Sequence, residues 1–136
     1  TRRVKLAVIG TGRMGSIHAR NIVRSLPEAE LVAVCDIRLE VAQAVADELG
    51  IQRVVRDYHE LLADTSIEAV LVVTSTNTHG FIVQDCARAG KQIFCEKPIA
   101  LNYAEAKEMY EAAEKAGVLH YLNHNFSYSG TFTVNN

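Results

Sequence analysis

Long apolar runs are missing from this sequence, which excludes the common kinds of membrane protein. No apolar stretch approaches the roughly 20 residues that a helix needs to span a bilayer. The N-terminal Thr1-Arg2-Arg3 leads into a short, strand-like run that Gly10 ends, and this is not the pattern of a signal peptide. We therefore expect neither a leader nor a membrane anchor, and a cytoplasmic location.

Cysteine is scarce, and its positions do not suggest a disulfide framework or a metal site. The three residues Cys35, Cys86 and Cys95 are odd in number, stand in apolar stretches and lack the spacing of zinc ligands. We expect buried free thiols and no bound metal.

A surplus of one charge is also missing. The chain has 14 Lys and Arg against 16 Asp and Glu, a formal net charge of −2, with both signs scattered along its length. Binding to nucleic acid or to an anionic membrane would need a basic patch, so neither partner is expected. With 49% apolar and 22% charged residues, the 136 residues fit one globular domain with a real core.

The sequence does contain a regular alternation of short apolar runs with longer segments of helical period. This pattern predicts an α/β fold, with helices on both faces of a doubly wound, mostly parallel sheet. About six strands are predicted, at 4–9, 31–35, 53–55, 69–73, 92–95 and 118–122, with 69–73 apolar enough to be central. Five helices are predicted, at 13–26, 39–49, 58–63, 77–89 and 102–117. In the first helix we expect one buried side formed by Met14, Ile17, Ile22 and Leu26.

A glycine-rich loop joins the first strand to the first helix, with the sequence Gly10-Thr11-Gly12-Arg13-Met14-Gly15. A first glycine permits a tight turn, a second lets backbone approach a pyrophosphate, and a third lets helix and strand pack closely. The helix N-terminus then attracts the anion. The loop therefore predicts a Rossmann-type site for a nicotinamide dinucleotide, in which these six residues contact the cofactor.

Asp36 ends the second strand, about 20 residues beyond the loop, where its carboxylate can accept hydrogen bonds from the adenosine ribose. Its charge would repel the extra phosphate of NADP, so NAD is favoured. Arg38 leaves this open, because its guanidinium could pair with that phosphate, stack on adenine or face solvent. The alternative is structural: the glycines only turn the chain, and Asp36 only caps the next helix.

Two segments of the second half resemble the Gfo/Idh/MocA family of NAD(P)-dependent sugar and polyol dehydrogenases, to which inositol dehydrogenases belong. They are Thr74-Ser75-Thr76-Asn77-Thr78-His79 and Cys95-Glu96-Lys97-Pro98. The resemblance implies that Lys97 lies beside the nicotinamide and substrate as the catalytic lysine, and that Glu96, Thr74, Ser75, Asn77 and His79 face the cofactor. Asn77 is equally well explained as a helix cap, and Glu96 with Lys97 as an exposed surface pair.

The resemblance fades after about Asn125, and the family's second domain, which covers the nicotinamide and holds the substrate, is not matched. We expect a dinucleotide-binding domain over 1–125, and a tail over 126–136 that is an extra strand or a frayed end. The chain would then bind NAD without acting on a sugar or polyol by itself, and would self-associate through an uncovered apolar face. The alternative function is a non-catalytic NAD-binding or sensor module.

Overall fold

The computed structural model describes residues 3–74, 76–95, 115, 117 and 120–122, and the strands in these ranges form one parallel sheet. The strands are β1 Val4–Ile9, β2 Ala29–Cys35, β3 Arg53–Val55, β4 Ala69–Val72, β5 Gln92–Cys95 and β6 His120–Leu122. The helices described are α1 Arg13–Ser25, α2 Leu39–Leu49, α3 His59–Leu62 and α4 Thr76–Arg88.

The strands lie side by side in the order β3-β2-β1-β4-β5-β6. The chain thus winds outward from β1 in one direction through β2 and β3, then returns to the other side of β1 and continues through β4. This is the order of the doubly wound dinucleotide-binding fold, and it leaves a crevice between β1 and β4 where the direction reverses. The predicted α/β class, parallel sheet and central fourth strand are confirmed.

Each face of the sheet has its own core because side chains alternate along a strand. On β1, Leu6 and Val8 belong to the layer packed beneath α1 and α2, while Ala7 and Ile9 belong to the layer beneath α3 and α4. The inner strands are therefore apolar on both sides, as buried parallel strands are.

The predicted buried side of α1 is wrong in part. Its buried residues are Gly15, Ala19 and Ile22, whereas Met14, Ile17 and Leu26 are exposed. The helix lies so close to the sheet that small residues occupy the contact line. The large apolar residues are displaced to its flanks and its end.

Element boundaries differ from the sequence predictions by one or two residues. β2 begins at Ala29 rather than Leu31, and α3 is shorter at each end. Since α4 begins at Thr76, Asn77 lies inside its first turn and is not the cap residue. Of the predicted last helix, the structure describes Lys115, which is helical, and Gly117, which has the positive φ of 71° suited to a helix stop. The predicted tail 126–136 lies outside the described residues.

Within the described residues, none of the helices combines the length and the apolar character that crossing a bilayer requires. Cys35 and Cys86 are buried free thiols, as predicted, and burial raises the pKa of each to about 12. The side chain of Cys95 lies outside the described part of the chain.

Candidate functional site

A cleft of about 440 Å³ opens at the carboxyl ends of β1, β2 and β4, where the strand order reverses. Its floor comprises the glycine loop and the ends of these strands, and one wall is the start of α4. Both the position and the volume are typical of a small-molecule site in an open α/β sheet.

The glycine loop contains two glycines that the fold itself requires. Gly10 has a φ of 101°, and a Cβ there would lie 2.7 Å from the carbonyl carbon and oxygen of Val73. A Cβ on Gly15 would lie 1.8 Å from the carbonyl oxygen of Gly10. These two positions let β1, β4 and α1 approach one another closely.

Gly12 differs, because the protein gives no reason for a glycine there. Its φ of −69° is open to any residue, and the nearest atom to a Cβ would be a terminal guanidinium nitrogen of Arg38 at 3.7 Å, an ordinary contact. The space beside Gly12 is therefore room that the fold leaves without filling. Gly12 is also the N-cap of α1, which has no side-chain cap and no acidic residue in its first turn. An anion is attracted to such a helix end.

Asp36 is buried, with 9% of its surface exposed, and holds the glycine loop in place. Its Oδ2 accepts hydrogen bonds from the Thr11 backbone amide at 2.9 Å and the Thr11 hydroxyl at 3.2 Å, and its Oδ1 accepts one from the Arg38 amide at 2.8 Å. Burial raises the pKa of Asp36, but these bonds and the Arg38 charge outweigh it, so the pKa lies below its ordinary value. Asp36 is therefore ionised at neutral pH.

Both interpretations of Asp36 find support in these contacts. The Arg38 amide belongs to the N-cap residue of α2, so Asp36 does help to start that helix. Its carboxylate also borders the cleft, where it can serve as an acceptor. The tie between Asp36 and Thr11 was not predicted, because nothing in the sequence shows that residues 25 positions apart meet.

Arg38 lies at the rim, 61% exposed, with its Nε 3.6 Å from Asp36 Oδ1. It pairs with Asp36 and lies over Gly12, and most of its side chain faces solvent, which is one of the three roles considered for it.

Apolar side chains line the open end of the cleft, and the sequence analysis missed them. Ile37 is 81% exposed and Phe81 53% exposed, and Tyr58 lies with them in the lining. Large exposed apolar groups on a cleft wall suit the flat face of a nucleobase. The available signal was Ile37, an apolar residue directly after Asp36 where a loop would be polar.

The second-half candidates are placed only in part. Thr74 lines the cleft, and its hydroxyl oxygen accepts a hydrogen bond from the Thr78 hydroxyl at 2.8 Å. Asn77 and His79 belong to the first turn of α4. Ser75, Glu96 and Lys97 lie outside the described residues.

A second polar cluster stands beside the cleft, and it too was missed. The Tyr58 hydroxyl donates to Asp85 Oδ2, while His59 stacks on the Tyr58 ring with centroids 4.2 Å apart. The two ring nitrogens of His59 face Asp57 and Asp85. His59 is 60% exposed, yet both of its ring nitrogens face carboxylate oxygens. Across the described ranges, no group of three His, Cys, Asp or Glu side chains is arranged to hold a metal ion.

Comparisons with known proteins agree with this geometry. The profile of the Gfo/Idh/MocA oxidoreductase family, described by its NAD-binding Rossmann fold, matches residues 4–124. The myo-inositol 2-dehydrogenase of Thermotoga maritima is 40% identical over 129 residues, which are 95% of this chain and 38% of that protein. The scyllo-inositol 2-dehydrogenase (NAD(+)) of Bacillus subtilis is 45% identical over 117 residues, 86% of this chain and 34% of that protein.

Two solved structures show the same fold. A probable dehydrogenase from Thermotoga maritima superposes with a TM-score of 0.84 at 41% identity, over 88% of this chain and 36% of that one. The scyllo-inositol dehydrogenase of Lactobacillus casei, solved with bound NAD(H) and scyllo-inositol, gives 0.83 at 27% identity, over 90% of this chain and 36% of that one. The chain thus spans little more than a third of the length of the relatives that it matches.

Proposed function

Because this chain belongs to the Gfo/Idh/MocA family of NAD-binding oxidoreductases, we propose that its cleft binds the dinucleotide of an inositol-type polyol dehydrogenase. The names of the relatives support the polyol substrate, since two of them are inositol 2-dehydrogenases. The cleft supports the cofactor, since it combines a capless helix N-terminus for the pyrophosphate with a buried carboxylate for the ribose.

The observation that carries the proposal is the space beside Gly12. Gly10 and Gly15 are explained by the backbone atoms that a Cβ would strike, but Gly12 faces only the tip of a flexible arginine. A pyrophosphate that passes close to Gly12 would explain why this position has no side chain. The N-terminus of α1 would then bind the pyrophosphate, and the ionised Asp36 would bind the ribose of the same dinucleotide.

NAD rather than NADP is the proposed cofactor. The Asp36 charge repels a phosphate on the ribose hydroxyl that it would bind, and the two Thr11 bonds keep that charge in place. Arg38 is the group that could attract the phosphate, and it is already paired with Asp36. A bound NADP would have to break that pair.

When bound, the nicotinamide supplies the hydride acceptor for oxidation of a substrate hydroxyl. The role of this chain is to bind the cofactor and to orient it. Lys97 is the proposed catalytic residue, which hydrogen-bonds that hydroxyl and favours its deprotonation. Thr74, Ser75, Asn77, His79 and Glu96 are proposed to border the cofactor. The family resemblance of the two segments supports these assignments.

We also propose that the dinucleotide-binding domain extends to about residue 125, since the family match ends at 124. Residues 126–136 are then a separate tail. Self-association is proposed as well, because apolar surface is exposed on α1 at Met14, Ile17 and Val23 and just after it at Leu26. Sedimentation at several concentrations would show a strict monomer if this is wrong.

The test is a pair of glycine-to-serine changes, one at the N-terminus of α1 and one at the C-terminus of α2. Gly12→Ser adds a side chain where the protein has room, and serine is a good N-cap, so the free energy of unfolding should stay the same or rise. The new side chain would fill the phosphate position, and calorimetric titration should show NAD affinity falling by at least about tenfold.

Gly50→Ser is the matched control. Gly50 has a φ of 73° at the end of α2, with nothing within 4 Å of a Cβ, so the change strains the backbone away from the cleft. It should lower stability by about 1–2 kcal/mol and leave the NAD dissociation constant unchanged. Titration of the parent chain with NADP should give the weaker affinity. Equal NAD binding by Gly12→Ser and the parent would overturn the proposal.

A further inference from the structure

The wall of the cleft opposite the glycine loop contains a tyrosine, Tyr58, whose position is fixed by residues that do not line the cleft themselves. Tyr58 lines the cleft at the start of α3, and its hydroxyl donates to Asp85 Oδ2 on α4 at 2.5 Å. The tyrosine therefore joins two elements that together form this wall. Any group that binds both Tyr58 and Asp85 helps to set the width of the cleft.

His59 is such a group. Its ring stacks on Tyr58 with an interplanar angle of 25°. Its Nε2 lies 3.3 Å from Asp85 Oδ2, and its Nδ1 lies 2.7 Å from Asp57 Oδ1. The backbone amide of His59 also donates to Asp57 at 2.9 Å, which fixes the start of α3.

Both ring nitrogens thus face a carboxylate oxygen, and protonation decides whether both contacts can exist. A protonated imidazole has two N–H donors, whereas a neutral one has a single donor and presents a lone pair to the other carboxylate. Asp57 faces His59 from its own segment, and Asp85 faces it from α4. Asp85 is also paired with Arg88, whose guanidinium lies 2.5 Å from Oδ1. Only the protonated ring can donate to Asp57 and Asp85 at the same time, and it then adds to the tie that Tyr58 makes between the α3 segment and α4.

We propose that protonated His59 is a positioning residue for the adenosine end of the cleft, holding Tyr58 and α4 in the arrangement that binds dinucleotide. The inference rests on the proposed dinucleotide site. His59 need not touch the ligand; it acts through Tyr58 and Asp85.

The direction of the effect follows from the charges. The hydrogen bond that His59 donates to Asp57 raises the pKa of His59 above its ordinary value; burial opposes this shift, and the charge of Asp57 and the contact with Asp85 add to it. The double contact of His59 with Asp57 and Asp85 is therefore complete below the ordinary histidine pKa of about 6.5. It is lost as the pH rises through the higher pKa that His59 has in the folded protein. Dinucleotide affinity should fall over that interval.

The experiment measures NAD affinity of the chain by calorimetry from about pH 5.5 to about pH 8.5. The dissociation constant should rise about two- to fivefold across the range, as expected of one exposed ion pair. His59→Gln should bind with the weaker, high-pH affinity at every pH. His18→Gln removes a histidine from α1 outside the cleft lining and should keep the full pH dependence.

A second readout follows from linkage, because a proton that favours NAD binding must itself be favoured by bound NAD. The His59 ring signal in NMR should titrate at a higher pH in the presence of NAD than in its absence. Asp57→Asn should move both the ring titration and the change in affinity to lower pH.

Tight NAD binding with no pH dependence, or a dependence that persists in His59→Gln, would overturn the role of His59 and leave the proposed function intact. A chain that binds no NAD at any pH would overturn both. Thermal unfolding of His59→Gln shows whether the variant is folded, and the NMR titration of the parent tests the coupling without any substitution.

Discussion

At Asp36, a buried charge is kept ionised by the loop that it holds. The carboxylate orders the Thr11 backbone, and the Thr11 amide and hydroxyl in turn stabilise the carboxylate. The same side chain borders the cleft where a ribose would lie. Loop geometry and ligand recognition are therefore coupled through a single residue.

Replacing Asp36 should consequently change both the affinity for NAD and the choice of cofactor. Asp36→Ala removes the proposed ribose acceptor and the charge that repels phosphate, while Arg38 is released from its pair. We expect NAD binding to weaken by about 1.5–3 kcal/mol, the value of a hydrogen bond to a charged group, and the preference for NAD over NADP to shrink. Titration with both dinucleotides measures this.

Thr11→Val is the control for that experiment. It removes the hydroxyl bond to Asp36 but keeps the carboxylate and the backbone bond, so NAD should remain the preferred cofactor. If Asp36→Ala binds NAD as tightly as the parent, then Asp36 serves the loop alone.

Single residues with strong local signals were predictable, and residues defined by distant partners were not. The spacing of Gly10, Gly12 and Gly15 and the position of Asp36 follow from adjacent elements. The contact of Tyr58 with Asp85 spans 27 positions, and no local pattern encodes it. The cluster around His59 could therefore be recognised only once α3 and α4 were placed together.

On the scale of elements, α1 shows why periodicity predicts a helix better than it predicts the buried face. The sequence predicts a helix at 13–26, and the structure has one at Arg13–Ser25. Its contact line passes through Gly15 and Ala19, because the Gly10 carbonyl leaves no room for a larger group. Large apolar side chains predicted the wrong buried face of α1, because a helix this close to the sheet has room only for small residues along its contact line.

Gly15→Ala should for that reason be among the more destabilising changes in the chain. The added Cβ would lie 1.8 Å from the Gly10 carbonyl oxygen, which is backbone and cannot rotate away, so α1 must shift from the sheet. We expect a loss of about 2–3 kcal/mol in the free energy of unfolding, the upper range for overpacking. Denaturant unfolding gives the value.

Gly90→Ala provides the comparison, because Gly90 has a φ of 77° but open space around a Cβ. Its cost should be only the backbone strain of about 1–2 kcal/mol. A Gly15 variant as stable as the parent would mean that α1 can lie farther from β1 than it does here.

At the scale of the whole molecule, strand and helix alternation was enough to predict the fold class. It did not give the order of the strands. That order depends on β1 pairing with both β2 and β4, and no residue pattern within β1 indicates two parallel neighbours from different parts of the chain. The position of the cleft follows directly from this order.

The 136 residues should bind dinucleotide without turning over polyols. Hydride transfer needs the substrate carbon held against the nicotinamide, and the relatives are nearly three times as long as the region they share with this chain. Incubation with NAD and a panel of myo-inositol, glucose and related polyols should leave NADH absorbance at the level of a protein-free control.

Turnover at an ordinary enzyme rate would contradict this expectation. Lys97→Ala distinguishes the possible sources of such a signal. Activity lost in that variant would assign the reaction to this chain, whereas activity kept in it would come from a contaminant.

The pairing of β1 with β4 also fixes when, during synthesis, the cleft can come into being. Leu6 and Ala69 are partners in the sheet, although roughly sixty residues separate them along the chain. At about 5–20 residues per second, a ribosome needs on the order of 3–13 s to make that interval. The glycine loop is thus translated before β4 and α4, and it lacks its opposite wall until they have emerged. A nascent chain can bind its dinucleotide only after this delay, so cofactor capture waits for the synthesis of β4 and α4.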